Sequence, residues 1–489
     1  MKIPPPRPSV RLRALAAWLA LTTVACAGSA PRPLNVLFIT ADDMNADSPG
    51  WMGNPLKATP RLDAFAATSH QFVNNFVTAP ICQPSRSALM TGRVPHRSGA
   101  LGFDPVREDV PTLVTILQAR GYFTAGMNKL PHMQPKACFP WDLAFMGSGK
   151  NPTALAKQVT AAIAAAKKSG RPFFINCNIG DPHRPFFGSA DVGKKKHKKA
   201  AAKGEFDDEP DAPAAREDTI VPFQPDEVPV PAFLEDVPGV RREVAQYYSS
   251  IRRMDVSFAR VLQALDDSGE APHTVVIFLG DHGMSFPFSK ATVYFNGTWA
   301  PLLLRWPEMG PPQRRTEMTS SVDLLPTLLD VLGAPVPAGV DGRSWLPLLR
   351  GETQPDRDHV FTHVNDVSSG ADFPQRCVRT RTKALIFEAW PARGVPFKVE
   401  AMSGLSYAAM AEAAASDPHI QARVDQYIKG VTFAFYDLEK DPAERRNEID
   451  NPAYRAEIER LTHLLLGHME RTADPQLENF RAALAARKR

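Results

Sequence analysis

Cysteine is scarce in this chain, five residues among 489. Cys26 lies near the N-terminus and Cys82 sits in a motif taken up below; Cys138, Cys177 and Cys377 are left over, odd in number and widely spaced. That excludes a disulfide framework, leaves room for one disulfide at most, and offers no zinc-type spacing. Charge of one sign is also lacking. Lysine and arginine number 57 against 53 aspartates and glutamates, a net charge of +4. This argues against nucleic acid as a partner, because phosphate binding needs a basic face. No apolar run reaches the roughly 20 residues of a membrane-spanning helix, and no internal repeat is visible. What is present is a hydrophobic fraction of 44%, that of a globular protein. The length suits one large domain plus a smaller one.

The N-terminus reads as an export signal over residues 1–27. Arg7, Arg11 and Arg13 precede an apolar run from Ala14 to Ala25, and Ala25-Cys26-Ala27 fits an A-x-A cleavage site. Thr23-Val24-Ala25-Cys26 also loosely resembles a bacterial lipobox, which leaves a lipid anchor at Cys26 open. The expected location is periplasmic or extracellular, with anchoring to a bacterial membrane as the variant.

Apolar runs at Asn35–Thr40, Pro172–Asn178, Thr274–Leu279 and Pro301–Arg305 predict buried strands, each apolar on both faces as in a central parallel sheet. Helical periodicity lies between them at Ala58–Ser69, Thr112–Arg120, Pro152–Lys168, Arg241–Asp267 and Ser320–Leu332. This alternation predicts an α/β fold, helices flanking a mostly parallel sheet, over residues 34–355. A low-complexity insertion near 188–240 interrupts it. The insertion holds a lysine run at Lys194–Lys199, an acidic run at Glu205–Glu209 and dense prolines from Pro210 to Pro238, and reads as a surface loop with little regular structure. Residues 356–489 change character. Strand-like pieces at Thr380–Glu388 and Val431–Leu438 precede an amphipathic helix near Ala453–Glu470, which predicts a smaller α+β domain with an antiparallel sheet.

Two strand ends carry acid. Asp42-Asp43 follows the first strand, and Asp281-His282 follows the third within Gly280-Asp281-His282-Gly283. Ligands of open α/β sheets bind beyond the carboxyl ends of strands. A single Asp at a strand end is most simply a turn or helix cap. Three carboxylates meeting in one place repel unless a hard cation lies between them. The segment Cys82-Gln83-Pro84-Ser85-Arg86 runs on to Thr91-Gly92-Arg93. Pro84 suits the first turn of a helix and Gly92 its end, so Cys82 is predicted at a helix N-terminus, where anions are favoured. Arg86, one turn on, can face the same anion. The plain alternative for Cys82 is a buried structural cysteine.

C-x-P-S-R followed by T-G-R resembles the signature of type I sulfatases, members of the alkaline phosphatase superfamily. The resemblance runs from Asn35-Val36-Leu37-Phe38 to Asp441-Pro442 and includes Asp341-Gly342-Arg343-Ser344-Trp345. It implies an alkaline phosphatase-like sandwich and oxidation of Cys82 to formylglycine by a formylglycine-generating enzyme. It further implies one calcium ion held by Asp42, Asp43, Asp281, His282 and the modified Cys82. The catalytic set it implies is Cys82 with Arg86, Lys129, His132, His183 and Lys290. His183 would protonate the leaving group, and His132 would take the proton that frees sulfate. Lys129 and His132 keep a K-x-x-H spacing like that of iduronate 2-sulfatases. Tyr247-Tyr248, Arg253-Met254-Asp255 and Tyr294-Phe295-Asn296-Gly297-Thr298 are similar to the N-sulfoglucosamine sulfohydrolases, the heparan N-sulfatases. The expected substrate is therefore a sulfated saccharide of glycosaminoglycan type, desulfated at a chain end, with N-sulfoglucosamine favoured. An O-sulfatase, a phosphonate or phosphate diester hydrolase, and a non-catalytic exported glycan-binding protein are the alternatives. The last has no need of an activated nucleophile.

Overall fold

A computed structural model describes residues 1, 2, 4, 32–189 and 219–487. Nearly all of the export-signal region and residues 190–218, with both charged runs, lie outside these residues. Leu34–Arg489 forms one compact unit. No helix among the described residues is long and apolar enough to cross a membrane.

The central sheet has eight strands. In chain order they are β1 (Asn35–Asp42), β2 (His70–Phe72), β4 (Phe123–Met127), β5 (Leu143–Phe145), β6 (Phe173–Pro182), β7 (Thr274–Gly280), β8 (Leu302–Arg305) and β9 (Arg314–Arg315). Two further strands, β3 (Asn75–Phe76) and β10 (Thr319–Ser320), form a separate parallel pair. Across the large sheet the order is β5-β4-β6-β1-β7-β8-β2-β9, and the five strands from β5 to β7 all run parallel. Side chains of β1 alternate between two cores. Leu37, Ile39 and Ala41 belong to one, Val36 and Phe38 to the other. Both faces are therefore covered, which is why the run is apolar throughout. The predicted strand Pro301–Arg305 is present as β8 but runs antiparallel to β7. An apolar run records burial on both faces and carries no sign of direction, so the expectation of a parallel strand there is corrected.

The helices fall where periodicity puts them, some trimmed and some extended at their ends. Pro152–Ser169 starts behind Asn151, whose side chain accepts the Ala154 N–H, and Leu113–Ala119 is capped by Thr112. The helix predicted from Arg241 begins at Pro238, so the predicted insertion ends three residues early. Pro238 sits in the first turn, where its missing N–H costs nothing. Residues 219–237 hold no helix or strand, as expected. They are nevertheless pinned to the core by Phe223, Val228, Phe233 and Leu234, each less than a tenth exposed. This stretch is an irregular packed segment rather than a surface loop.

The second sheet is fully antiparallel in the order β11 (His359–Asp366), β12 (Asp372–Thr380), β13 (Lys383–Glu388), β14 (Phe433–Asp437). Here alternation is strict. Ala384 and Ile386 face the main core, whereas Leu385 and Phe387 pack with Leu461, Leu465 and Phe480 of the two last helices, Arg455–Thr472 and Leu477–Arg487. A period of two thus lets one strand serve two cores. The α/β sandwich with an added antiparallel α+β part is the architecture expected from the sequence.

Register brings the functional strand ends level. Ala41 of β1 pairs with Gly280 of β7 on one side and Ile179 of β6 on the other. Asp42-Asp43, Asp281-His282 and the Asp181–His183 turn therefore leave the same edge of the sheet.

Candidate active site

Cys82 is the first residue of a buried helix, Cys82–Thr91, behind an extended Ile81. Pro84 lies in the opening turn, where no intrahelical donor is needed. The helix closes on Gly92 at φ 64°, a left-handed cap suited to glycine. No side chain caps the N-terminus, so its free N–H groups and dipole are directed at whatever lies beside Cys82. Ser85 Oγ donates to the Asp281 carbonyl at 2.5 Å and ties the helix to the turn after β7.

Around the thiol stand the predicted metal ligands. Cys82 Sγ lies 3.6 Å from Asp42 Oδ1 and 3.2 Å from His282 Nε2. His282 Nε2 is also 3.4 Å from Asp43 Oδ1 and 3.8 Å from Asp281 Oδ2. The Asp43 N–H donates to Asp281 Oδ1 at 3.0 Å, which orients the third carboxylate. Asp43 itself has φ 66°, an uncommon left-handed backbone for a non-glycine and typical of functional turns. Gly283 has no room for a side chain, since a Cβ would fall 1.8 Å from the Asn296 carbonyl oxygen. Asp42, Cys82, Asp281 and His282 each offer a ligand atom within 4.8 Å of one another, as do Asp42, Asp43, Cys82 and His183.

Basic groups complete the pocket. Arg86 donates to Asp281 Oδ2 at 2.9 Å and lies 3.8 Å from Asp42 Oδ1. Its other nitrogen reaches Thr40 and Asn178. Lys129 Nζ lies 2.7 Å from Asp42 Oδ2. Lys290 Nζ bridges Asp43 and Glu400 at 3.0 Å each. His183 Nδ1 faces the Arg184 carbonyl, which fixes that nitrogen as the donor, and Nε2 points towards Glu400 Oε1 at 3.8 Å. His132 is buried in the adjoining wall with its ring edge-on to Phe103 at 5.5 Å and Nδ1 without a hydrogen bond. All predicted site residues thus converge on one pocket. His132 alone makes no direct contact with Cys82 or the carboxylates.

The charges pull the acids apart. Burial works to raise Asp42, but the Lys129 and Arg86 cations outweigh it and hold the carboxyl well below the usual carboxylate range. Burial pushes Asp43 up to about 6 against the pull of Lys290, and burial with Asp42 raises Asp281. Burial, reinforced by the three carboxylates, raises the Cys82 thiol well above its ordinary value. Burial, then Lys129, drives both His132 and His183 well below theirs. Among the described residues, ion pairs join the four carboxylates of Asp42, Asp43, Asp281 and Glu400 to three fixed cations, Arg86, Lys129 and Lys290. A pocket of net negative charge repels an anion. One divalent cation among the three aspartates reverses the sign, and this oxygen-rich donor set fits such an ion.

Glu400 escapes sequence reasoning. It stands in a short turn, Glu400–Ser403, inside a stretch with no periodicity, and nothing local marks it. Asn178 was more legible. It is a polar residue in an apolar strand, and its side chain joins Arg86 to the Met127 and Asn128 carbonyls beside Lys129. Beneath His183, Asp181 forms a two-pronged pair with Arg253 at 2.6 and 3.0 Å, which steadies the turn.

Known proteins point the same way. The chain is 29% identical over 477 residues to human N-sulphoglucosamine sulphohydrolase, with 91% of each chain covered. Among solved structures it superposes on a protein described in complex with its substrate D-glucosamine-2-N,6-O-disulfate, with TM-score 0.64, 17% identity, and 91% and 99% of the two chains covered. A phosphonate monoester hydrolase from Silicibacter pomeroyi gives TM-score 0.63 and 19% identity over 91% and 96%. At such identities the superpositions carry the fold. The model of the sulfatase family matches residues 34–334, and the chain accordingly belongs to the sulfatase family of hydrolases.

Proposed function

We propose that this sulfatase removes the N-sulfate from a terminal glucosamine of a glycosaminoglycan-type saccharide, using formylglycine at Cys82 and one calcium ion, after export from the cell. The observation that carries the nucleophile is the Cys82 thiol itself. Cys82 opens an uncapped helix N-terminus with Sγ 3.6 Å from Asp42 Oδ1 and 3.2 Å from His282 Nε2, which sets an attacking atom beside the groups that would hold the ion. Sγ stands in for a hydroxyl of the formylglycine hydrate. When formed, that hydrate supplies the attacking oxygen. Asp42, Asp43, Asp281 and His282 would hold calcium, which when bound supplies positive charge beside the nucleophile.

The remaining work falls to side chains. Lys129 and Lys290 neutralise sulfate oxygens, and the uncapped N-terminus of the Cys82 helix adds N–H donors. Arg86, held by Asp281 and Asn178, fixes the charge behind the nucleophile. His183 directs Nε2 into the pocket because the Arg184 carbonyl holds Nδ1. The negative sulfate favours a proton on Nε2, from which it passes to the departing nitrogen. His132, neutral through burial and Lys129, can take the proton whose loss frees sulfate.

Support for glucosamine as the sugar comes from the human relative, whose name specifies N-sulphoglucosamine and which aligns over nine-tenths of both chains. The K-x-x-H spacing of Lys129 and His132 supports the rival O-sulfatase reading. Glucosamine N-sulfate and glucosamine 6-O-sulfate, supplied separately to the purified enzyme, distinguish the two by sulfate release. Hydrolysis of the O-sulfate alone overturns the N-sulfatase reading. A phenyl phosphonate monoester supplied alongside tests the phosphonate alternative.

A further inference from the structure

Outside the catalytic pocket, His96, His363 and Asp474 bring three ligand atoms within 4.8 Å of one another. They come from three separated pieces of chain: the short helix Pro95–Ser98, strand β11, and the turn after the helix Arg455–Thr472. We propose that they bind a first-row divalent cation, zinc by preference, that fastens the C-terminal helices to the Cys82 side of the molecule.

The hydrogen bonds around the cluster decide the matter. His96 Nε2 lies 3.1 Å from the Thr472 carbonyl. A carbonyl only accepts, so Nε2 carries the hydrogen and Nδ1 of the neutral ring is a bare lone pair. That lone pair faces Asp474 Oδ2 at 3.9 Å, another acceptor. His363 reaches the same carboxylate. Its Nε2 is bonded to His468 Nε2 at 3.0 Å, and its Nδ1 faces the same Asp474 oxygen at 3.6 Å. Neither Nδ1 has a hydrogen-bond partner, although the two rings are 4% and 0% exposed. The buried His96 Nδ1 lone pair, aimed at a carboxylate oxygen with no donor between them, is costly unless a cation joins the two.

Each ligand is also held from behind, as metal ligands are. Thr472 fixes the His96 ring and His468 the His363 ring, and His468 is itself stacked on Phe361 at 3.8 Å. Arg376 grips Asp474 through both carboxylate oxygens at 2.6 and 2.8 Å. Two imidazoles and a carboxylate are a donor set suited to zinc. Bonds of about 2.0–2.1 Å to a tetrahedral ion set ligand atoms about 3.4 Å apart, against 3.9 and 3.6 Å from the two Nδ1 atoms to Asp474 Oδ2. A water completes the coordination.

The test is metal counting on the full chain. Chelator-stripped protein is dialysed against zinc and analysed beside His96→Asn and His468→Phe. The site requires wild type to retain one zinc per chain more than His96→Asn, and to show a higher Tm with zinc that His96→Asn does not share. His468→Phe keeps all three ligands and should bind about 10–100-fold more weakly. Asp43→Ala, which alters only the catalytic cluster, should retain this zinc, so the outcome is independent of the sulfatase reading. Equal zinc in wild type and His96→Asn, or wild-type affinity in His468→Phe, overturns the proposal and leaves a purely hydrogen-bonded cluster.

Discussion

The catalytic pocket and the buried pair Arg379–Glu444 use the same kinds of side chain to opposite ends. Arg379 donates to Glu444 Oε1 at 2.8 Å, and Glu444 Oε2 accepts the Phe295 N–H at 2.5 Å. Each oxygen has its own donor, and the carboxylate is saturated. In the pocket Asp281 is matched in that way, but its neighbours share their cations. Lys290 is shared between Asp43 and Glu400, and Asp42 draws on both Arg86 and Lys129. Neighbouring aspartates are accordingly pushed in opposite directions, Asp42 down and Asp43 up to about 6. Burial alone is common to both places. Incomplete matching is what distinguishes a site meant to receive further charge from one meant to hold a fold.

The sharpest way to break the comparison is to remove the centre of the unsaturated cluster. Cys82→Ala should reduce sulfate release to background while the far-ultraviolet circular dichroism stays that of wild type. Retained turnover refutes the assignment of Cys82. Mass spectrometry of the wild-type Cys82 peptide should show formylglycine in active enzyme, and full activity from unmodified cysteine would falsify that part. The opposite result is expected from the saturated pair. Arg379→Met strands Glu444 and should cost about 3–5 kcal/mol in urea unfolding, with the activity of the molecules that remain folded little changed. The double replacement Arg379→Met with Glu444→Leu should recover most of the loss, since it is the unpaired partner that is expensive.

Between these lies Lys290, a cation of the pocket rather than its nucleophile. Lys290→Ala should lower kcat/KM by about 10²–10³-fold, the usual effect of losing one donor to a developing charge. A drop confined to KM would show that Lys290 only binds the substrate.

Much of this contrast was legible before the fold was known, and unevenly so. Asp42, Asp43, Asp281 and His282 sit directly after strands whose apolar runs are unmistakable, so their convergence follows from sheet register. Cys82 and Arg86 are one helical turn apart, which a local motif records. Glu400 enters from a turn with no pattern of its own, because a long-range contact leaves no local trace. The same limit hid β11, most of β12 and the helices Leu405–Ala414 and Pro418–Lys429. The last two are short and depend on packing against other helices rather than on a long periodic stripe. The direction of β8 was equally illegible, since burial sets its composition and pairing sets its polarity.

The smallest effect tests a third kind of buried acid, one with no cation at all. Glu388, at the end of β13, accepts the Val431 N–H at 2.7 Å, and no lysine or arginine among the described residues pairs with it. Burial pushes it up to about 8. It is thus protonated at neutral pH in the folded chain, whereas the unfolded chain has released the proton above the ordinary glutamate value. Between about pH 4.5 and 8 the folded state binds one proton that the unfolded state lacks, so this residue makes stability fall as pH rises. The slope is about 1.4 kcal/mol per pH unit inside that window and vanishes above it. Glu388→Gln keeps an acceptor for Val431 and has nothing to titrate. The difference in unfolding free energy between variant and wild type should therefore grow in favour of the variant from pH 6 to pH 8, then level off. A difference independent of pH would mean that Glu388 is ionised in the folded protein and that burial alone does not hold its proton.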